Sequence, residues 1–111
     1  MVAVLIDQWG GKEGLWIDFF GAPTSTTSLP SRLAKKTGCL LVPAYCLRKG
    51  IAQYEIQILP QVPLPLNESD WETNVTQRLN EILESHIRQY PEQWSWAHRR
   101  WKPKPETFRQ A

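Results

Sequence analysis

The sequence predicts an α/β chain in which helices pack on a mixed β-sheet. Three observations carry this. Short apolar or alternating runs recur along the first half, each ended by Gly, Pro or a charged pair. From Trp71 to Tyr90, apolar residues instead recur at spacings of three and four. The resulting order is strand, strand, helix, strand, strand, helix. Residues 1–60 form a sheet-rich part with one short helix, 61–69 a Pro-rich connector, 70–90 a long amphipathic helix and 91–111 a basic, Trp-rich tail, all portions of one domain.

Each element has its own reason. Val2-Ala-Val-Leu-Ile6 is all apolar and largely β-branched, the pattern of a strand buried on both faces. Asp7-Gln8 ends it, and Trp9 to Gly14 is turn material. Leu15 to Phe20 is a second strand that stops at Gly21, and the small polar stretch Ala22–Ser28 reads as a loop. Ser28 suits the cap of a short helix, with Pro30 in its first turn and Gly38 closing it. Arg32, Lys35 and Lys36 form its wet face, while Leu33 and Ala34 face the sheet.

Leu40–Leu47 reads as a central strand, with Pro43 at a bulge or at the strand's end because it lacks an N–H. Lys49-Gly50 then suggests a tight turn into Gln53–Leu59. There Tyr54, Ile56 and Ile58 alternate with Gln53, Glu55 and Gln57, as in a half-exposed strand. Ser69-Asp-Trp-Glu72 is a capping box, and Trp71, Val75, Leu79, Ile82, Leu83, Ile87 and Tyr90 lie on one face of the helix that Pro91 ends. Trp71, Val75, Leu79, Ile82 and Ile87 should press it against the sheet.

At 111 residues, 41% hydrophobic and 22% charged, the chain is long enough for one core and too apolar for disorder. No apolar run approaches the roughly 20 residues of a bilayer span, and nothing at the start resembles a secretion signal. The sequon matches at Asn67 and Asn74 are therefore read as chance. Cys39 and Cys46 form no Cys-x-x-Cys pair and have no nearby His, so they read as buried, reduced thiols rather than metal ligands. Charge is uneven. Residues 1–87 hold seven Lys/Arg against nine Asp/Glu, whereas 88–111 hold six against two, with Trp94, Trp96 and Trp101 among the cations. The overall charge of +2 does not by itself imply a nucleic-acid partner.

Several residues sit where open α/β sheets collect ligands, beyond the carboxyl ends of strands. Asp7 and Gln8 can orient a hydroxyl or a basic side chain, or simply form a turn. Phe20 and Gly21, with Thr26 beyond them, offer close backbone approach to an anionic or acyl group, or else a core aromatic and its turn. Arg48 can hold a phosphate or lie solvated at a strand terminus. His98, Arg99, Arg100 and Lys102 suit phosphate or carboxylate contact, or form a solvated basic stretch. His86, beside the helix's apolar face, reads as packing. No Gly-rich phosphate loop, metal-ligand set or Ser/His/Asp arrangement is present.

Together these residues resemble a known family. Asp7-Gln8, Phe19-Phe20-Gly21-x-Pro23-x-x-Thr26, Leu33-Ala34-x-x-Thr37-Gly38, Val42-Pro43, Arg48, Tyr54-x-Ile56, Asn80, Glu84 and Ile87-Arg88 follow its pattern. So does Pro91-Glu92-Gln93-Trp94-x-Trp96-x-His98-Arg99-Arg100-Trp101-Lys102, the most specific block. The chain resembles the C-terminal part of the late acyltransferases of lipid A biosynthesis, of the lauroyl/myristoyl, Kdo-dependent type. The resemblance implies a partial glycerol-phosphate-acyltransferase-like fold with its N-terminal half absent. It implies transfer of a fatty acyl chain from acyl carrier protein to a hydroxyl of a lipid A precursor, without metal or organic cofactor. It also implies a monotopic or singly anchored enzyme at the cytoplasmic face of the bacterial inner membrane; the basic, Trp-rich end points to contact with an anionic membrane surface, and no nucleic acid is expected.

The family's catalytic signature is His, four residues, then Asp or Glu, in which the carboxylate orients the His that removes the hydroxyl proton. The residues five places after His86 and His98 are Pro91 and Pro103, so neither heads that signature. Thr24 stands where the family favours Ala. The expectation is an inactive C-terminal piece, with no catalytic residue of its own and with Asp7, Gln8, Phe20, Gly21, Thr26, Arg48, His98, Arg99, Arg100 and Lys102 contributing to substrate binding. The rival reading is a non-catalytic module whose basic tail docks on anionic lipid or nucleic acid. Three structural expectations follow. Asp7, Gly21 and Arg48 should share one sheet edge. Apolar surface should lie bare around Val2–Ile6. The block from His98 to Lys102 should lie on a polar rim.

Overall fold

In a computed structural model, residues 1–64, 67, 69–94, 100 and 101 are described. Strands β1 (Leu15–Phe19) and β2 (Ala22–Thr26) are followed by helix α1 (Leu29–Thr37), strands β3 (Ala44–Gly50) and β4 (Gln53–Ile58), and helix α2 (Trp71–Gln89), after which Pro91–Gln93 make one 3₁₀ turn. The strands form two separate antiparallel pairs, β1–β2 and β3–β4, rather than the single mixed sheet the pattern predicts. Each strand hydrogen-bonds to its sequence neighbour, so among the described residues no ladder joins the two hairpins.

Both helices stand close to their predicted bounds. Pro30 lies in the first turn of α1, and Gly38 at φ 72 ends it in the left-handed conformation with its N–H on the Ala34 carbonyl. Ser28 caps without a side-chain hydrogen bond. In α2 the N-cap is Asp70, also without a side-chain bond, so the expected Ser69–Glu72 box does not form: the helix starts one residue late for it. Trp71, Val75 and Leu79 pack with Val62 into a core cluster, joined from the edge by Ile6, Leu41, Leu64 and Ile82. Ile87 is buried as well. Helix α1 packs on α2, not on a sheet, with Ala34 fully buried.

The strand expectations need more correction. Val2–Ile6 is irregular, with Val2 and Leu5 exposed, because no described strand lies beside it to complete a ladder. Leu40–Leu47 becomes a strand only from Ala44. Before it, the Leu41 and Pro43 carbonyls accept from Val62 and Leu59, so pairing continues on one side only, since Pro43 has no N–H to return. The turn after β3 falls at Ile51-Ala52 rather than at Lys49-Gly50, with Ala52 at φ 55 and a register shift between Arg48 and Gly50. β4 is exposed on both faces instead of one. Cys39 and Cys46 are exposed, not buried. Cys39 follows the end of α1, and Cys46 points away from its buried neighbour Leu47 by the alternation of the strand.

The bare apolar surface is where the sequence places it. Val2, Leu5, Leu40 and Val42 are all exposed. Residues 1–6, 39–46 and α2 together enclose an apolar-walled groove of about 530 Å³.

Candidate functional site

The polar centre is built on the β1–β2 hairpin. Its register runs from Leu15↔Thr26 to Phe19↔Ala22, closed by Phe20 and Gly21 at φ 53 and 77. Positive φ at both turn positions matches the right-handed twist of the flanking strands, and Gly21 adopts it freely. Phe20 does not, and it is held in place. Its N–H donates to Glu84 Oε1 at 2.6 Å, and the Arg88 guanidinium lies 4.8 Å from its ring centre.

Helix α2 meets this hairpin with a polar face. The Gln77 amide brackets Asp18, accepting from its N–H at 3.2 Å and donating to its carbonyl at 3.0 Å. Asn80 Nδ2 donates to the Asp18 carbonyl and to Thr26 Oγ1. Ser31 and Thr76 hydroxyls meet at 3.3 Å between α1 and α2. Gln93 repeats the bracket on β3, accepting from Arg48 N–H at 2.9 Å and donating to its carbonyl at 3.2 Å. A side-chain amide that satisfies both backbone groups of one edge residue blocks further strand addition there.

Arg100 reaches into this centre and is 1% exposed, which overturns its expected place on a polar rim. Nη1 donates to Thr24 Oγ1 at 3.1 Å and to the Ser25 carbonyl at 2.9 Å, and Nη2 to Thr26 Oγ1 at 2.8 Å. Thr24 Oγ1 in turn donates to the Arg100 carbonyl at 2.7 Å. The guanidinium also lies 4.8 Å from the Phe19 ring centre. Burial pulls its pKa down to about 10, and the negative charge of Asp7 opposes that pull, so the group stays cationic at neutral pH. Two buried atoms, Arg100 Nε and Asn80 Oδ1, have no hydrogen-bond partner among the described residues. Trp101 stacks on Phe19 with ring centres 5.2 Å apart and points Nε1 at the Phe19 and Ala22 carbonyls.

The predicted site residues therefore divide. Thr26 and Arg100 meet at the open end of the hairpin, where the charge of Asp7 is felt by Arg100. Phe20 and Gly21 are at its closed end, and Arg48 is exposed on the other hairpin. Asp7 ends no strand, so the expected shared sheet edge does not exist. Gln8 is exposed. His98, Arg99 and Lys102 lie outside the described residues.

Asp7 also lines the apolar groove, together with Ile6, Leu79, Leu83 and His86. The His86 ring stacks face to face on Tyr45, centres 3.7 Å apart, and Tyr45 Oη donates to the Ile82 carbonyl at 2.9 Å. Burial lowers the His86 pKa and raises that of Tyr45, so both are neutral at pH 7. The arrangement is an apolar trough with a carboxylate and a neutral imidazole on its wall. Among the described residues, no three His, Cys, Asp or Glu side chains gather as a metal site would need. Asn80 and Gln93 stand in the family pattern and Thr24 departs from it, yet none of them was read as part of this centre, and Ser25 and Gln77 were overlooked; the polar run Thr24 to Ser28 was a further signal.

Residues 1–103 match a protein family described as bacterial lipid A biosynthesis acyltransferase. The lipid A biosynthesis lauroyltransferase of Escherichia coli (strain K12) is 29% identical over 102 residues, covering 89% of this chain and 32% of that protein. A phosphatidylinositol mannoside acyltransferase of Mycobacterium tuberculosis (strain H37Rv) is 28% identical over 101 residues, 91% of this chain and 31% of its own. A lipid A biosynthesis acyltransferase of Haemophilus influenzae is 26% identical over 91 residues, 81% and 27%. The chain spans about a third of the length of the curated relatives it matches.

Proposed function

The chain belongs to the bacterial lipid A biosynthesis acyltransferase family, and from that premise we propose that it serves as the C-terminal portion of an acyltransferase domain. The reaction is transfer of a fatty acyl chain from an acyl carrier protein thioester to a hydroxyl of a lipid A precursor. The family match along residues 1–103 carries this reading. The hydroxyl oxygen attacks the thioester carbonyl, its proton passes to a His, and the carrier thiol leaves. His86 and His98 are each followed five places on by Pro, so the His-x4-Asp/Glu pair that does this belongs to the part of the relatives' length that this chain does not span. Its own share is to supply the Asp7–Arg100 centre and the apolar groove beside it, which suit an amphiphile with an acyl chain and a polar head. Joined to that upstream part, the two hairpins and helices complete a fold of the glycerol-phosphate-acyltransferase type.

We place the enzyme at the cytoplasmic face of the inner membrane. Among the described residues, no helix is long and apolar enough to cross a membrane. The rival reading, a docking module built on the basic tail, loses support because Arg100 and Trp101 are committed to the hairpin.

The test is a fusion of this chain to the N-terminal two thirds of the E. coli lauroyltransferase. Acyl transfer from carrier thioester to a lipid A precursor is expected from the fusion, and none above the no-enzyme rate from the 111-residue chain alone. A folded fusion that transfers acyl chains only to a phosphatidylinositol mannoside would change the acceptor, and a folded, inert fusion would sink the reading. Turnover by the chain alone would bring the catalytic base back into it, with His98 the first suspect.

A further inference from the structure

We propose that Arg100 is a positioning residue that, anchored on β2 from the interior, fixes the segment carrying Asp7 and so holds the Asp7 carboxylate on the wall of the apolar groove. The role toward substrate rests on the acyltransferase reading; the clamp itself does not.

The geometry of one carbonyl carries the argument. The Ser25 carbonyl accepts two hydrogen bonds, from Arg100 Nη1 at 2.9 Å and from Gly10 N–H at 2.9 Å. Arg100 and the chain just after Asp7 are thus tied to the same atom. Ser25 Oγ adds a third tie by donating to the Gly11 carbonyl at 2.6 Å. The contact is close. A Cβ at Gly10 would stand 2.6 Å from the backbone of Thr26 and Thr27. The segment lies flat on β2, and the guanidinium fork holds β2 through Thr24, Ser25 and Thr26 together.

Charge points the same way. Arg100 is buried, and a buried cation without a counter-charge is costly. No salt bridge to Arg100 occurs among the described residues, and Asp7 is the carboxylate whose charge it feels. Arg100 is the residue type the task requires. A lysine ammonium is a point charge and cannot reproduce three directed bonds from one plane. Neither Arg100 nor Phe19, on which it rests, lines the groove. Asp7 does. Arg100 therefore does not touch an occupant of the groove itself and acts through the residues that it holds in place.

The experiment uses trypsin on the 111-residue chain. Lys12 is exposed in the tied-down loop, and Lys49 is exposed on the distant β3–β4 hairpin as an internal control. Cleavage of a transiently opened segment follows its open population. Arg100→Met should speed the cut at Lys12 by roughly tenfold, the size of one lost charge-assisted hydrogen bond, and Asp7→Asn should speed it in the same direction. The double variant should be no faster than the faster single one, and Lys49 should not change. Arg100→Lys keeps the charge, and it should still speed the Lys12 cut.

Three results overturn the proposal: unchanged cleavage at Lys12, effects that multiply in the double variant, or a parallel rise at Lys49, which would make Arg100 a general stability residue. In the fusion enzyme, Asp7→Asn and Arg100→Lys should lower kcat by similar factors, again without multiplying when combined. Independent losses there would likewise remove the positioning role. An inert fusion would count against the acyltransferase reading, and the proteolysis would still decide the clamp.

Discussion

The two hairpins are built alike and buried oppositely. Each is an antiparallel pair of short strands closed by a two-residue turn with at least one residue at positive φ. In β2 the hydroxyl residues Thr24, Ser25 and Thr26 are at most 1% exposed. In β4 the apolar Tyr54, Ile56 and Ile58 are 66–72% exposed. Hydropathy alone ranks these strands the wrong way round. What distinguishes them is partners. β1–β2 is covered by α2 through Gln77 and Asn80, by the Gly10 segment and by Arg100, and every hydroxyl in β2 finds a hydrogen bond. β3–β4 is moored through the fully buried Leu47 and the Gln93 bracket on Arg48. A polar strand can be buried when its neighbours satisfy it, and an apolar strand stays bare when nothing covers it.

The contrast can be broken most forcefully at Phe19. It is fully buried and meets the rings of Phe20, Trp94 and Trp101. Phe19→Ala should cost about 3–5 kcal/mol, read by urea denaturation. An effect below about 1 kcal/mol would show that the hairpin does not depend on its aromatic cluster.

Leu79→Ala tests the helix side. It empties part of the Val62–Trp71–Val75 cluster and should cost about 2–5 kcal/mol. A thermal melt that does not move would mean the α2 face is not packed.

Gly10→Ala is smaller, because it adds a single methyl against the backbone of Thr26 and Thr27. Overpacking of this kind costs about 1–3 kcal/mol, and the loss should come with faster exchange of the backbone amide at position 10. Gly21→Ala, where an added Cβ meets nothing within 4 Å but φ is positive, separates strain from clash.

Ile56→Thr on β4 should be the mildest, within about 0.5 kcal/mol, since the side chain is already exposed. It should reduce self-association in sedimentation, because the exposed strand loses apolar surface. If Ile56→Thr instead destabilises as much as Leu79→Ala, then β4 is covered in solution and the contrast between the hairpins is lost.

What sequence could determine was local and periodic. Helix α2 was legible because its apolar spacing and Pro91 are properties of one segment, and α1 because Pro30 and Gly38 act on their own backbone. The apolar character around Val2–Ile6 was equally plain. Tertiary structure alone decided the rest. Polar Thr24–Thr26 became a buried strand because Arg100 and Asn80, more than fifty positions away, complete its hydrogen bonds. Val2–Ile6 stayed irregular because a strand needs a neighbouring edge, and no run of residues carries its neighbour with it. Arg100 turned inward for the same reason: a cation in a basic, Trp-rich stretch reads as surface until the carbonyl and hydroxyls that receive it are brought together by the fold.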